Sequence, residues 1–368
     1  MKRIWMRAAL ALGLCAALLL AGCAQPGFGS ALEEDPPALT DPLTGGEAQR
    51  AGQRVAAVAI ENAPGTATQW GVASASLVME ALTRSDRPTS LCLVYPSLDR
   101  MPRTGPVAAG QDLYWRLLAA QQVLPVQRGG GVYNRNYLDF YGLHAIDARE
   151  VGRRAFDCTE GWSNAPLWYT SGAAAAQVLE RLNISAALSV TGANASTVAN
   201  PADGSTLVTV PALLPFDAQA RLPEPGAEGT ATVQLRFGAQ SATGFSYDAE
   251  NGVYRMLRAD GTPQMDANNG AQAAFDHLLV LYSASALRED GVSFEYDLSM
   301  GGGVWMNGGR LWHITWRQGT ASTFAFYDAD GEPLAIPPGR CYLALVSSLT
   351  GQELSVRSAQ GEELASPH

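Results

Sequence analysis

Cys23 closes the run Leu20-Ala21-Gly22-Cys23, and that spacing defines the sharpest chemistry in the sequence. Small residues ahead of a cysteine at the end of an export signal make a lipobox, in which the thiol takes a diacylglyceryl group. The preceding residues agree. Lys2, Arg3 and Arg7 form a charged start, and the apolar run from Ala8 to Ala21 falls short of the roughly 20 residues that a spanning helix needs. Residues 1–22 are therefore expected to be a signal peptide, with Cys23 the lipidation site and the membrane the first partner. Buried lipid contributes about 0.8 kcal/mol per methylene, so two or three chains on one cysteine hold where one is marginal. The expected address is the outer face of the cytoplasmic membrane, or the outer membrane in a cell that has one.

Beyond Cys23 the side chains exclude more chemistry than they assign. Lys2 is the only lysine, so the mature chain has no amine for a Walker A loop, a Schiff base or a Ser-x-x-Lys site. His144, His277, His313 and His368 show no metal-ligand spacing, and neither a metal site nor a cofactor is expected. Glu80, with Asp139 or Glu160, is the pair that an envelope glycan hydrolase would use; such carboxyls stand about 5 to 5.5 or 6.5 to 9.5 Å apart. Arg103 joins Glu80 and Asp139 as a candidate binding residue. Trp312, Ile314 and Trp316 share one face if extended. A core face is the plainer reading. Exposed, the indoles would offer sugar rings a platform, with Trp162, Trp168 and Tyr133 as first-half counterparts.

Three cysteines remain after Cys23: Cys92, Cys158 and Cys341. One disulfide is possible in an exported chain, with Cys92 to Cys158 the candidate pairing, but Cys92 within Leu91-Cys92-Leu93-Val94-Tyr95 reads better as a small buried hydrophobe. The triplets Gly129-Gly130-Gly131 and Gly301-Gly302-Gly303 read as turns, since neither shows a phosphate-loop pattern. Asp328-Ala329-Asp330-Gly331 begins like a calcium loop but lacks the later glutamate. A formal charge of -10, which deepens when Lys2, Arg3 and Arg7 are removed, argues against nucleic acid and nucleotide partners.

The elements that must position these residues follow from periodicity. Residues 23–51 are rich in Pro, Gly and acids and read as a flexible stalk. Val55 to Ile60 and Leu91 to Tyr95 read as buried strands, and Ser74 to Thr83 as either a helix or a strand. Helices are expected over Gln111 to Gln121 and Ala173 to Leu182, the second capped by Thr170 or Ser171. That gives a mixed α/β domain over 52–183. A connector follows over 184–226. Turn signals at Glu250-Asn251-Gly252, Ala259-Asp260-Gly261 and Ala329-Asp330-Gly331 then mark a mostly antiparallel β domain over 227–348, with 349–368 a tail. The fold class is α+β.

Pro42-Leu43-Thr44-Gly45, Ser76-Leu77-Val78-Met79-Glu80, Gly105-Pro106-Val107, and Tyr327-Asp328-Ala329-Asp330-Gly331 followed by Pro338-Gly339-Arg340-Cys341-Tyr342 occur in the order seen in the YerB-like bacterial lipoproteins. The chain resembles a diverged member of that family, whose two domains are of unknown function. The likeness covers 42 to about 346. Two departures stand out. The family's Arg-Ser-x-Arg after Gly-Pro-Val is here Ala108-Ala109-Gly110-Gln111, and its Pro-His-Asn-Leu-Tyr is Pro166-Leu167-Trp168-Tyr169. The resemblance implies an envelope lipoprotein, and the departures favour a non-enzymatic binding or scaffolding role, with a protein or cell-wall glycan as partner. A glycan hydrolase and a solute-binding receptor are the alternatives. The receptor ranks lower because the two halves look dissimilar.

Overall fold

The structure, a computed structural model, describes residues 39–365 apart from 49, 67, 161–165, 225 and 320–321. Cys23, the expected signal peptide, the expected stalk as far as residue 38, Trp162 and the side chain of Glu160 lie outside the described residues.

The fold is α+β, and its frame is a mixed twelve-stranded sheet with a second, six-stranded sheet laid over it. Cys341–Ser347 runs parallel to Leu77–Ala81 on one side and to His277–Ser283 on the other. All seven of its residues are buried, the continuous apolar run of a strand covered on both faces. This strand alters the expected division. The halves 52–183 and 227–348 do not hold separate sheets, because the last long strand of the second half pairs beside a strand of the first. Sequence periodicity marks strands but not their partners, so the join was invisible to it.

Two further boundaries move. The stalk does not extend to residue 51. Leu43 is fully buried, Asp41 Oδ1 accepts from the backbone N–H of Leu43 at 2.8 Å, and the N–H of Gly339 donates to the Thr44 carbonyl. Gly45 has φ +68, and a Cβ there would fall 2.3 Å from the Phe216 side chain. The Pro-Leu-Thr-Gly segment is thus a plug against the body. Nor is 349–368 a free tail: Glu353–Ser358 pairs with Thr230–Gly238 in the second sheet and buries Leu354 and Val356. Its alternation of apolar and polar residues is the half-buried strand pattern.

Alternation also divides the core. Val78 and Glu80 point toward the second sheet, meeting Phe245, Tyr342 and Val356, whereas Leu77 and Met79 point to the opposite face with Trp305, Trp312 and Trp316. Ser74 to Thr83 resolves as the strand Leu77–Ala81. The helix expected over Gln111 to Gln121 is Asp112–Leu117 followed by a 3-10 turn, Ala119–Gln121. Gly172–Leu182 matches the other helix, and Ser171 Oγ accepts from the Ala174 N–H.

Gly301, Gly302 and Gly303 form no turn but lie within the strand Met300–Asn307. A Cβ on Gly301 would fall 2.0 Å from the Tyr282 carbonyl oxygen, so packing, not turning, requires glycine there. Cys92, Cys158 and Cys341 are all free thiols, so the alternative Cys92–Cys158 bridge is not formed and Cys92 is the buried hydrophobe its apolar run suggests. Cys92 is fully buried among apolar side chains, and that burial pushes its thiol pKa well up.

Candidate functional site

Strand Leu124–Gln127 runs through Arg128-Gly129-Gly130-Gly131 directly into the helix Val132–Tyr141. These glycines are therefore a strand-to-helix junction and not the isolated turn expected. Gly129 has φ +67, and a Cβ there would fall 2.6 Å from Arg149 Nε. Alongside, a Cβ on Gly110 would fall 1.7 Å from Gln127 Oε1, so the Gln127 side chain packs on the Gly110 backbone at a distance only glycine allows.

A buried relay of side chains fixes this junction. Trp115 Nε1 donates to Asn134 Oδ1 at 2.7 Å, Asn134 Nδ2 to Gln127 Oε1 at 3.1 Å, and Gln127 Nε2 to Asp147 Oδ2 at 2.8 Å. Asp147 Oδ1 then accepts from the backbone N–H groups of Gly129 and Arg149, at 2.8 and 2.9 Å. Asn134, Gln127 and Asp147 are almost wholly buried, and such satisfied networks hold one arrangement because each unmade bond is expensive. No side chain caps the helix at Gly131. Its first-turn N–H groups and the positive end of its dipole are left for something else.

What lies in front of that helix end is a cleft of two chambers, of about 180 and 200 Å³, which share Thr83, Arg84, Arg87, Ala109 and Gln111. Five arginines line it (Arg84, Arg87, Arg128, Arg149 and Arg288) against two carboxylates, Glu61 and Asp112. In a chain of net charge -10 this is a local reversal of sign.

The arginines are not equivalent. Arg84 is held by two hydrogen bonds of 2.8 Å to Asp86, which raise its pKa. Arg288 is 10% exposed and chelates Asp112 at 3.2 and 2.7 Å, pairs with Glu295, and lies 4.4 Å over the Tyr133 ring. Burial opposes its charge, but the bonds it donates to Asp112 and the charges of Asp112 and Glu295 outweigh that and leave its pKa raised. Arg128 stands 3.6 Å from Glu61, whose pKa is raised by burial against the pull of Arg128. Arg87 and Arg149 are exposed, and neither forms an ion pair among the described residues. Their charge is available to a ligand.

The residues singled out from sequence fall elsewhere. Glu80 is sealed in the core, 1% exposed, where it accepts from Asn62 Nδ2 at 2.9 Å, Thr89 Oγ1 at 2.5 Å, Thr243 Oγ1 at 2.8 Å and Tyr342 Oη at 2.5 Å. Burial raises its pKa against those four bonds. Asp139 is exposed on the helix Val132–Tyr141, so the two carboxylates share no cleft, and the hydrolase pairing of Glu80 with Asp139 is not assembled. Arg103 clamps the fold: its guanidinium lies 4.7 Å over Trp70 and 5.1 Å over Tyr169, with Asp157 at 3.6 Å.

Trp312 and Trp316 do share a face, and it is a core face. They are 5% and 0% exposed, with Trp312 stacked on Trp305 and Trp316 Nε1 donating to the carbonyls of Tyr282 and Gly302. This overturns the exposed indole platform: the indoles share one buried cluster with Leu213, Leu214 and Phe324. Among the described residues no three His, Cys, Asp or Glu side chains gather as metal ligands.

Sequence reasoning missed the cleft arginines. Arg84 and Arg87, Arg128, Arg149 and Arg288 come from four separate stretches, and only the sheet order brings them together. One signal was present: the departure segment Ala108-Ala109-Gly110-Gln111 contributes Ala108, Ala109 and Gln111 to the cleft wall.

An α+β body with a continuous mixed sheet and an arginine-lined cleft at a strand-to-helix junction defines the class. The family described as "Protein of unknown function (DUF3048)" matches twice, its N-terminal domain over residues 43–185 and its C-terminal domain over 233–343. The chain belongs to this family. In fold it is similar to the crystal structure of the YerB protein from Bacillus subtilis, with a TM-score of 0.69 and 20% identity over 86% of this chain and 99% of that one. No curated protein matches the chain.

Proposed function

We propose that this chain is an extracytoplasmic lipoprotein, held by lipid on Cys23 at the outer face of a membrane, and that it binds an anionic partner in the arginine cleft without transforming it. The observation that carries this reading is the pair Arg87 and Arg149, unpaired beside an uncapped helix start in a chain that is otherwise acidic. Guanidinium groups hold phosphate or carboxylate oxygens in bidentate geometry, and a helix N-terminus adds N–H donors. An envelope protein or cell-wall glycan carrying such groups is the fitting partner.

The anchor and the cleft are tested separately. Cells fed labelled palmitate should label the chain and hold it in the membrane fraction, and Cys23→Ser should abolish both; unchanged fractionation would end the anchor reading. Equilibrium dialysis of the purified full chain against inorganic phosphate should give saturable, salt-sensitive uptake that Arg87→Gln with Arg149→Gln removes. Uptake that survives the double variant would refute the cleft.

A further inference from the structure

The two chambers of the cleft differ in chemistry. The first holds Arg149, Arg288, Gly130, Gly131 and Asp112, and shares Arg87 with the second. Arg288 lines it with a side chain nine-tenths buried and with Nε unpartnered. A buried N–H without an acceptor is uncommon, and an oxyanion seated among Arg87, Arg149 and the first helical turn would give it one. Such an anion needs several acceptor oxygens facing different directions, as phosphate has.

The second chamber is built for hydroxyl groups. Glu61 offers a carboxylate and Ser90 a hydroxyl, while the Asn62 amide and the Thr89 hydroxyl beside them are already bonded to Glu80. Ser90 Oγ and Arg128 Nε, both lining it, are buried with no hydrogen-bond partner. Those orphans are one group that donates and accepts and one that donates, and a ligand hydroxyl satisfies either. No aromatic side chain lines this chamber, so it has no ring on which a nucleobase would stack.

We propose that the cleft takes a phosphorylated polyol or sugar, its phosphate at Arg87, Arg149 and the start of the helix Val132–Tyr141, its hydroxyls at Glu61 and Ser90. This rests on the anion-binding reading above and names the ligand class for the same site. Polymers of phosphodiester-linked polyols and sugar phosphates present this chemistry as repeating units, and a tethered protein would meet them at the membrane surface.

Calorimetry on the purified full chain separates the two readings, with inorganic phosphate, glycerol 3-phosphate and glycerol as probes. Glycerol 3-phosphate should bind at least about tenfold more tightly than inorganic phosphate, and glycerol alone not measurably. Ser90→Ala removes a hydroxyl that bonds nothing in the free protein, so the variant should melt like wild type while losing most of the advantage of glycerol 3-phosphate. Arg87→Gln with Arg149→Gln should lose both phosphates. Equal affinity for the two phosphates, or an advantage untouched by Ser90→Ala and by Glu61→Gln, overturns the polyol assignment and leaves the anion site standing. No binding of either phosphate overturns both.

Discussion

His277 provides a test of the core of the large sheet. The residue opens the strand His277–Ser283 with no exposed surface, and its Nδ1 lies 3.2 Å from Trp305 Nε1, a donor only. The ring is therefore neutral with its proton on Nε2. Burial depresses its pKa to about 4, against the opposing pull of Asp276 and the carbonyls of Pro337 and Pro338. Above the ordinary histidine value the ring is neutral in both folded and unfolded chains. Between there and about 4 the unfolded chain binds a proton that the folded chain refuses. Stability is thus present above the unfolded pKa and is lost as pH falls toward the folded one. From pH 7 to pH 4.5 the loss works out at about 2 to 3 kcal/mol. His277→Gln keeps an acceptor for Trp305 and does not titrate. Urea unfolding of wild type and variant at both pH values isolates the term, since every other titrating group cancels in the difference. Wild type should lose about 2 to 3 kcal/mol more than His277→Gln on acidification. A gap that stays constant within about 0.5 kcal/mol would refute the buried, neutral imidazole.

Four other outcomes follow from the same packing. Asn134→Ala strands Trp115 Nε1 and Gln127 Oε1, so it should cost about 2 to 4 kcal/mol in urea unfolding and weaken phosphate binding severalfold by loosening the Gly129 to Gly131 junction. Glu80→Leu leaves the hydroxyls of Thr89, Thr243 and Tyr342 and the amide of Asn62 without their acceptor, and should cost about 3 to 5 kcal/mol. Because burial raises the Glu80 pKa, the folded chain keeps this proton longer than the unfolded one; relative to Glu80→Gln, wild type should lose stability as pH rises above the ordinary glutamate range, the reverse of the His277 trend. Trp316→Ala should cost about 3 to 5 kcal/mol in thermal or urea melts, as a buried indole, and leave ligand affinity at the cleft within twofold.

Local pattern was legible in this sequence where one element decides its own structure. Val55 to Ile60, Leu91 to Tyr95 and the helix ending at Leu182 are as periodicity expected, within a residue or two. The β-rich second half was legible from its Asn-Gly and Asp-Gly turns. Pairing between distant strands was not. Nothing in Cys341-Tyr342-Leu343-Ala344-Leu345 says that it lies beside Leu77–Ala81, and without that the chain reads as two domains. The helix Val132–Tyr141 escaped notice because only Asn134 and Leu138 are buried on it, too few for an apolar stripe. Missing that helix hid the meaning of Gly129 to Gly131. Glu80 drew attention as the end of a family-like segment and as a candidate hydrolase carboxylate, and the structure gives it another part: it is the acceptor that joins the two sheets, through Thr243 on one and Tyr342 on the other.

The claim that the arginine cleft binds anions is tested most directly on the arginines themselves. In the purified, nitrogen-15-labelled full chain, the Nε–Hε signals of Arg87 and Arg149, assigned by loss in Arg87→Gln and Arg149→Gln, should move saturably as inorganic phosphate is added, while those of the exposed Arg153, Arg154 and Arg181 stay in place. Signals of Arg87 and Arg149 that do not move, or that move no more than those three, would contradict the account.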